Sequence, residues 1–461
     1  MRVILEDGTT EEYADEPFAE GGQGKLYFSL DKRHVIKLYG ERDRARLLAL
    51  QKIIGEFNIT RQDPSAAPLF AWINGIVRQP SLGVRMDNVN CEVPHKDLTW
   101  WFSANALKRL PEDMRGNWFD RTYIAREMAR IAWKLHGNGL CHSDFSGNNF
   151  LANVARRRVV LIDLDSLVVP DVLPPTIIGT ADYMAPEIVS ALMRGQRDIR
   201  PSIQTDLHSL AVLIYQLLLM RHPLRGPKCH DPDPERDEQL ALGERALYIE
   251  DPNDRSNRPT VPFLGARLLG EEVEGLMRRA FTDGLRDPSR RPVAAAWHDA
   301  LSRMADQQLP CTNPDCKGKT FILLRDHPAI CPWCNTRIGY PRYIPVLRLY
   351  ASSGRMGYFQ QDKWRIVVWQ GRTLHSWHAQ SNIAEHEATR PEERAPLAEF
   401  RYDGYRGWLL HNLALDGLRV AEGNRMRRVS IGASELLREG QKWLLGADSA
   451  ARMALVSFQS V

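Results

Sequence analysis

No stretch of this chain is apolar for long enough to cross a bilayer. The longest apolar run, Leu210 to Met220, is broken by Tyr215 and Gln216 and falls short of the ~20 residues a membrane helix needs. The opening residues, M-R-V-I-L-E-D-G, hold no apolar region of the secretory kind. No basic block stands out: Lys plus Arg number 61 and Asp plus Glu 57, a net charge of +4 on 461 residues. That small excess makes no case for nucleic acid as a partner. There is no internal repeat and no low-complexity tract. Cysteine is scarce and uneven, with Cys91, Cys141 and Cys229 scattered and four more packed into 311–334. The expectation is a soluble cytoplasmic protein of several domains, in which clustered thiols bind metal rather than form disulfides.

What is present changes character along the chain. Residues 1–90 alternate short strand-like runs with turns, interrupted by one helical stretch from about Arg42 to Ile54. Residues 91–306 turn helical, with amphipathic or buried segments at 122–137, 205–220, 236–249 and 271–283. A Cys-rich piece occupies 307–343, and 344–461 returns to alternating β-type runs with turn signals. The fold class expected is α+β: a small β lobe, a helical lobe, a metal module and an all-β domain.

Three short stretches carry chemistry. A-E-G-G-Q-G-K-L-Y at 19–27 sets Gly21, Gly22 and Gly24 between two strands. Such glycines let backbone N–H groups approach phosphates closely, although a turn glycine is also ordinary. H-V-I-K puts Lys37 in an apolar strand, where a buried ammonium needs an anion; the plainer alternative is an edge-strand Lys facing water. H-S-D-F-S-G-N-N at 142–149 and V-L-I-D-L-D at 160–165 offer Asp144 to orient or deprotonate a hydroxyl. Asn149 and Asp163 supply the hard oxygen ligands that Mg²⁺ prefers. A loop with an Asx turn followed by a polar strand end is the plainer alternative there.

These residues resemble the protein-kinase family over about residues 12–306, with several motifs in order. The resemblance implies a bilobal fold, with ATP between the lobes and its adenine against the backbone near Met86 to Val89. Lys37 and the glycines then hold the phosphates, Asn149 and Asp163 hold Mg²⁺, and Asp144 serves the acceptor. G-T-A-D-Y-M-A-P-E at 179–187 resembles the end of an activation segment, with Thr180 near Asp144. Asp206 resembles the buried Asp that braces the catalytic loop, and Arg291 the partner of Glu187. Ala19 replaces a loop glycine, and Ser146 stands where a Lys is usual. Ser143 replaces the Arg that answers a phosphorylated loop, which implies activity independent of phosphorylation there. Asp165 replaces a Gly and is read as a polar strand end, with a further metal ligand as the alternative. The acidic partner of Lys37 is unassigned: the helix R-D-R-A-R-L-L-A-L-Q has no interior Glu, and Glu41 and Glu56 flank it awkwardly. A pseudokinase scaffold and a small-molecule kinase of the aminoglycoside-phosphotransferase type remain open. The G-T and A-P-E segment favours a protein substrate with a Ser or Thr acceptor.

C-T-N-P-D-C and C-P-W-C place Cys311, Cys316, Cys331 and Cys334 as two pairs, a spacing suited to a closed, structural Zn²⁺ site. The tail loosely resembles forkhead-associated domains, β-sandwiches that read phosphothreonine. Arg372, Ser376 and Asn412 are candidate phosphate contacts there, against the plainer reading of ordinary strand and turn residues. Kinase, four-cysteine ribbon and β domain in this order resemble the bacterial kinases of the tellurite-resistance-associated phosphorylation triad. That resemblance implies a von Willebrand factor A protein as substrate and a PPM-type phosphatase as antagonist.

Overall fold

A computed structural model describes residues 1–461 except 22–23, 41–43, 171, 173–178, 197–198, 325–326, 340, 354–356, 386–393 and 424. The chain divides into two units: Met1–Arg267 with Glu271–Asp299, and Leu268–Gly270 with Ala300–Val461.

The first unit begins with a seven-stranded sheet. Its spatial order is Thr10–Glu12, Arg2–Leu5, Ile73–Gln79, Gly83–Asp87, His34–Leu38, Gly24–Phe28 and Ala19–Gly21, with every neighbouring pair antiparallel. Alternation drives it: Val3, Leu5, Tyr13, Tyr27, Ile36, Leu38 and Val77 share one buried cluster. His34–Leu38 is an interior strand, paired with Gly24–Phe28 on one side and Gly83–Asp87 on the other. An edge-strand Lys37 is thereby excluded. The helix Arg44–Ile54 lies in sequence between the strands, buries Leu50 and Ile53, and has no acidic residue.

The rest of the first unit is mostly helical. Trp118–Gly137 starts with a capping box between Asn117 and Asp120 and is buried along most of its length. It packs against Ile203–Leu219, where the Trp118 indole donates to the Leu218 carbonyl at 3.1 Å. Ile203–Leu219 has its own capping box from Ser202 and Thr205, and carries Asp206 in its first turn. The helical segment expected at 236–249 is shorter, Pro234–Leu242, and stops at Gly243, a residue that weakens a helix interior. A sheet of three strands, Arg158–Leu161, Phe150–Asn153 and Lys96–Asp97, interrupts the helices. Among the described residues no helix is long and apolar enough to cross a membrane.

The second unit contains a hairpin of Gln308–Pro310 with Thr320–Ile322 and an all-β region of two sheets. One sheet has six strands, ordered Phe359–Val367, Tyr343–Ser352, Met453–Ser460, Lys442–Leu445, Leu418–Glu422 and Arg425–Arg428. The other has four: Thr373–Leu374, Ala398–Asp403, Gly407–Asn412 and Ser434–Leu436. Leu347, Ile366, Leu418, Val420, Trp443 and Val456 of the first share a core with Leu374, Phe400, Trp408 and Leu410 of the second. The Cys-rich segment is not a free module. Leu309, Phe321, Leu323, Cys316 and Cys331 pack in one cluster with Ile344, Val346 and Val367 of the β region.

Candidate active site and a four-cysteine cluster

The loop at 142–149 is built from its backbone outward. His142 and Cys141 pair with Leu167 and Val168, and the His142 N–H donates to Asp206 Oδ2 at 2.8 Å. Asp206 is almost fully buried, so its carboxylate anchors the loop to the helix Ile203–Leu219. The Asp144 N–H donates to His142 Nδ1 at 3.1 Å. With Nδ1 accepting, Nε2 carries the proton and faces the Ile162 carbonyl at 3.3 Å. Asp144 Oδ1 accepts the Thr180 N–H at 2.9 Å, and Oδ2 accepts the Asn149 amide at 3.0 Å. The same amide reaches the Asp144 carbonyl at 2.8 Å. Both carboxylate oxygens are thus aimed, one by the segment expected beside the acceptor and one by the Asn five residues on.

The hairpin then delivers Asp163. Phe150 pairs with Leu161 and the Ile162 N–H donates to the Asn149 carbonyl at 2.9 Å, so Asn149 and Asp163 leave adjacent strands at the same end. Asp163 sits in the left-handed region, φ 63° and ψ 38°, a conformation that Asp tolerates and that concentrates at functional positions. A short turn, Leu164–Ser166, follows, with the Ser166 hydroxyl donating back to the Asp163 carbonyl at 2.8 Å.

From the sheet above, Lys37 Nζ comes to 2.5 Å from Asp163 Oδ1 and 2.9 Å from Asp165 Oδ2. The Tyr39 hydroxyl donates to Asp165 Oδ2 at 2.7 Å. Asp165 is therefore not the polar strand end expected from the sequence. It is a buried partner of Lys37, its side chain 3% exposed, whereas that of Asp163 is 25% exposed. Burial alone would lower the ammonium's pKa, but the two carboxylates outweigh it and the net shift is upward. Burial and the neighbouring Asp165 charge raise Asp163. Burial also works against Asp165, yet Lys37 and the Tyr39 hydroxyl hold its carboxyl below the usual range.

The glycine hairpin pairs Gly21 with Gly24; Gly22 lies outside the described residues. Gly24 has φ +147°, and a Cβ there would meet the Leu38 carbonyl oxygen at 2.3 Å, so no other residue fits. Met86 is buried one residue before the end of the strand Gly83–Asp87, and Val89 lies half-buried in the turn that follows. Glu56 is exposed after the helix, and Glu41 lies outside the described residues. Ser143 and Ser146 are buried with unpartnered hydroxyls. At the other end of the unit, Arg291 grips Glu187 through two bonds of 2.8 and 2.7 Å.

What sequence reasoning missed was the role of Asp165 and of Tyr39. Two signals were available. I-D-L-D holds two acids two positions apart, and Tyr39 stands two residues after Lys37, on the same face of an extended segment.

In the second unit the four Cys Sγ atoms lie within 4.8 Å of one another, with Cys311–Cys334 at 3.5 Å and Cys316–Cys331 at 3.6 Å. A disulfide would bring sulfurs to about 2.05 Å. Four thiolates about 2.3 Å from a tetrahedral ion stand about 3.8 Å apart, so the set fits a metal. Beside the Thr336 hydroxyl the Cys334 thiol is drawn down to about 6, while burial pushes Cys331 up. The tail's candidate phosphate contacts are otherwise engaged. Arg372 is buried on Asp306, and Asn412 is buried, bonding the Leu415 and Val429 carbonyls. Ser376 opens the short helix Ser376–Ala379.

Residues 107–295 match the family model of the protein kinase domain. The match takes in Asp144, Asn149, Asp163, Asp206, Glu187 and Arg291, and leaves out the glycine hairpin and Lys37. A serine/threonine-protein kinase PknD of Chlamydia abortus is 31% identical over 149 residues, 27% of this chain and 15% of that protein. A probable serine/threonine-protein kinase of Dictyostelium discoideum is 30% identical over 148 residues, 32% of this chain and 9% of that one. A dual specificity protein kinase Ttk of Danio rerio is 25% identical over 139 residues, 29% of this chain and 13% of that protein. The matched segment spans less than a sixth of each of these relatives. The match to a protein kinase domain thus covers 107–295 of this chain, and an all-β region follows it towards the C-terminus.

Proposed function

We propose that the protein is an ATP- and Mg²⁺-dependent kinase that phosphorylates Ser or Thr on a partner protein. The observation that carries this is the convergence of Lys37 from the sheet with Asp163 from the hairpin, beside an Asp144 carboxylate already oriented by Asn149 and Thr180. Asn149 and the partly open Asp163 are hard oxygen donors fit to hold Mg²⁺; the bound ion would neutralise phosphate charge. Lys37 and the N–H groups around Gly21, Gly22 and Gly24 bind the phosphates, and the backbone near Met86 and Val89 takes the adenine. Asp144 orients the acceptor hydroxyl and receives its proton. Transfer of this kind is positioning plus charge neutralisation. Asp206 holds the loop, and Glu187 with Arg291 holds the segment on which a peptide lies, a feature that favours a protein over a small molecule.

The four cysteines hold Zn²⁺ in a closed, structural site. All four positions are filled by thiolates, which leaves none for a reacting water. The β region is read as a forkhead-associated-like sandwich that binds protein through surfaces other than Arg372 and Asn412. The domain order supports a place beside a von Willebrand factor A substrate and a PPM-type phosphatase, in a cytoplasmic stress or tellurite-resistance system. The test is incubation with γ-labelled ATP and Mg²⁺ against the products of neighbouring genes. Label on Ser or Thr of one of them, absent with Asp163→Ala, is expected. Nucleotide binding without transfer to any protein would favour a scaffold, and transfer to an aminoglycoside-type alcohol a small-molecule kinase.

A further inference from the structure

Lys37 stands on an interior strand with its side chain 6% exposed, where an ammonium without a fixed counter-ion is strongly disfavoured. The helix Arg44–Ile54 cannot supply one, having no acidic residue; it offers Arg46 instead, whose guanidinium lies 4.5 Å from the centre of the Tyr39 ring. Among the described residues, the turn after Asp163 supplies the counter-ion. Asp165 presents Oδ1 to Lys37 at 3.1 Å and Oδ2 at 2.9 Å, and the Tyr39 hydroxyl fixes Oδ2 at 2.7 Å.

Asp163 and Asp165 differ in one decisive respect. Asp163 is a quarter exposed and Asp165 is sealed. A ligand entering the cleft can draw Asp163 away from Lys37, whereas Asp165 stays where it is. We propose that Asp165 is the positioning residue for Lys37: a permanent carboxylate partner, carried two residues after Asp163 and locked by Tyr39, that keeps the ammonium aimed at the phosphates without help from the helix. This rests on the phosphotransfer reading above. It also has a mechanical consequence. The Ser166 N–H and hydroxyl both bond the Asp163 carbonyl, at 3.2 and 2.8 Å, so Asp163 and Asp165 belong to one tight turn. Lys37 is therefore registered against the hairpin that bears Asp163, and displacement of the helix Arg44–Ile54 leaves that register intact.

Three variants test this in the full-length chain: Asp165→Asn, Asp165→Glu and Tyr39→Phe, with Asp163→Asn for comparison. Each is assayed for ATP-analogue affinity, kcat and KM for ATP, and the Mg²⁺ concentration giving half-maximal rate. For Asp165→Asn, kcat/KM is expected to fall roughly ten- to a hundredfold, the scale of one charge-assisted contact. Half-saturation by Mg²⁺ should stay as in the wild type, and Asp165→Glu should recover part of the loss. Asp163→Asn should instead shift the Mg²⁺ requirement upward. Tyr39→Phe removes one hydroxyl and keeps the core, so it serves if Asp165→Asn does not fold; its expected loss is smaller, again with Mg²⁺ unchanged. An Mg²⁺ requirement raised by Asp165→Asn or Tyr39→Phe would make Asp165 a metal ligand and overturn the proposal, as would kinetics unchanged in the folded variants. If no protein substrate is phosphorylated, the kinase reading fails, while nucleotide affinity in the same variants still decides whether Asp165 positions Lys37.

Discussion

Arg291 and Glu187 face each other as a planar fork, Nη1 to Oε1 at 2.8 Å and Nη2 to Oε2 at 2.7 Å, across 104 residues of sequence. The guanidinium has further work: it donates to the Gln204 carbonyl at 2.7 Å and the Gly284 carbonyl at 2.9 Å. It therefore ties the start of the helix Pro186–Met193 to the first turn of Ile203–Leu219 and to the short helix Asp283–Arg286. Arg291 is 1% exposed and Glu187 37%, so the pair sits at the border between buried and surface behaviour.

Arg291→Ala should destabilise the first unit by about 3 kcal/mol, the low end for breaking a buried pair because Glu187 keeps access to water. Arg291→Lys should recover little, since an ammonium cannot make the fork. Urea unfolding followed through the tryptophans checks both.

Asp144→Asn keeps the size of the side chain and one acceptor oxygen, enough for the Thr180 N–H but not also for the Asn149 amide, while removing the proton acceptor. The rate of phosphotransfer should drop about a hundred- to ten-thousandfold, the range for losing a positioned general base, with ATP affinity and melting temperature close to wild type. Rates measured at saturating ATP, together with a nucleotide titration, separate the two.

The cysteine cluster predicts one zinc per chain by elemental analysis. Cys331→Ser should lower that stoichiometry and the melting temperature of the second unit, because Cys316 and Cys331 belong to the cluster that also holds Val346 and Val367. A strong chelator should do the same to the wild type. Zinc-free protein with unchanged melting would refute a structural metal.

Acid should weaken the first unit through His222. Burial drives its imidazole down to about 4, with Arg225 adding to the shift and Asp182 opposing it. Nε2 faces the Asp182 carbonyl at 2.9 Å. An unfolded His titrates near ~6.5, so between that pH and 4 the unfolded chain binds more protons. Stability is therefore complete above about 6.5 and is lost as pH falls through the window, by up to about 1.4 kcal/mol per pH unit for this group. His222→Gln should be less stable at neutral pH and flatter between pH 6.5 and 4, read from urea midpoints.

Legibility followed the range of each interaction. The five-residue step from Asp144 to Asn149 and the strand that ends at Asp163 are local, and the loop and hairpin realise them through contacts between near neighbours. Lys37 advertised a need for an anion by sitting in an apolar strand. Which anion was not legible, because Lys37 and Asp165 are 128 residues apart and nothing in either segment encodes the register of sheet over hairpin. The sequence left the acid unassigned, since the helix offers no interior Glu; the structure places Asp165 of the turn against Lys37. In the tail, Arg372 and Asn412 have side-chain chemistry suited to phosphate. Both are spent internally, Arg372 with Asp306 and Asn412 inside the loop from 412 to 415 and against Val429. Composition cannot distinguish a polar group facing a ligand from one satisfying its own core.

The most direct measurement is a calorimetric titration of the full chain with a non-hydrolysable ATP analogue, with and without Mg²⁺. One site per chain is expected, tightened by Mg²⁺ in the wild type, indifferent to Mg²⁺ in Asp163→Ala and weakened in Lys37→Ala. No binding, or binding that ignores both substitutions, would contradict a phosphotransfer centre built on Lys37, Asn149 and Asp163.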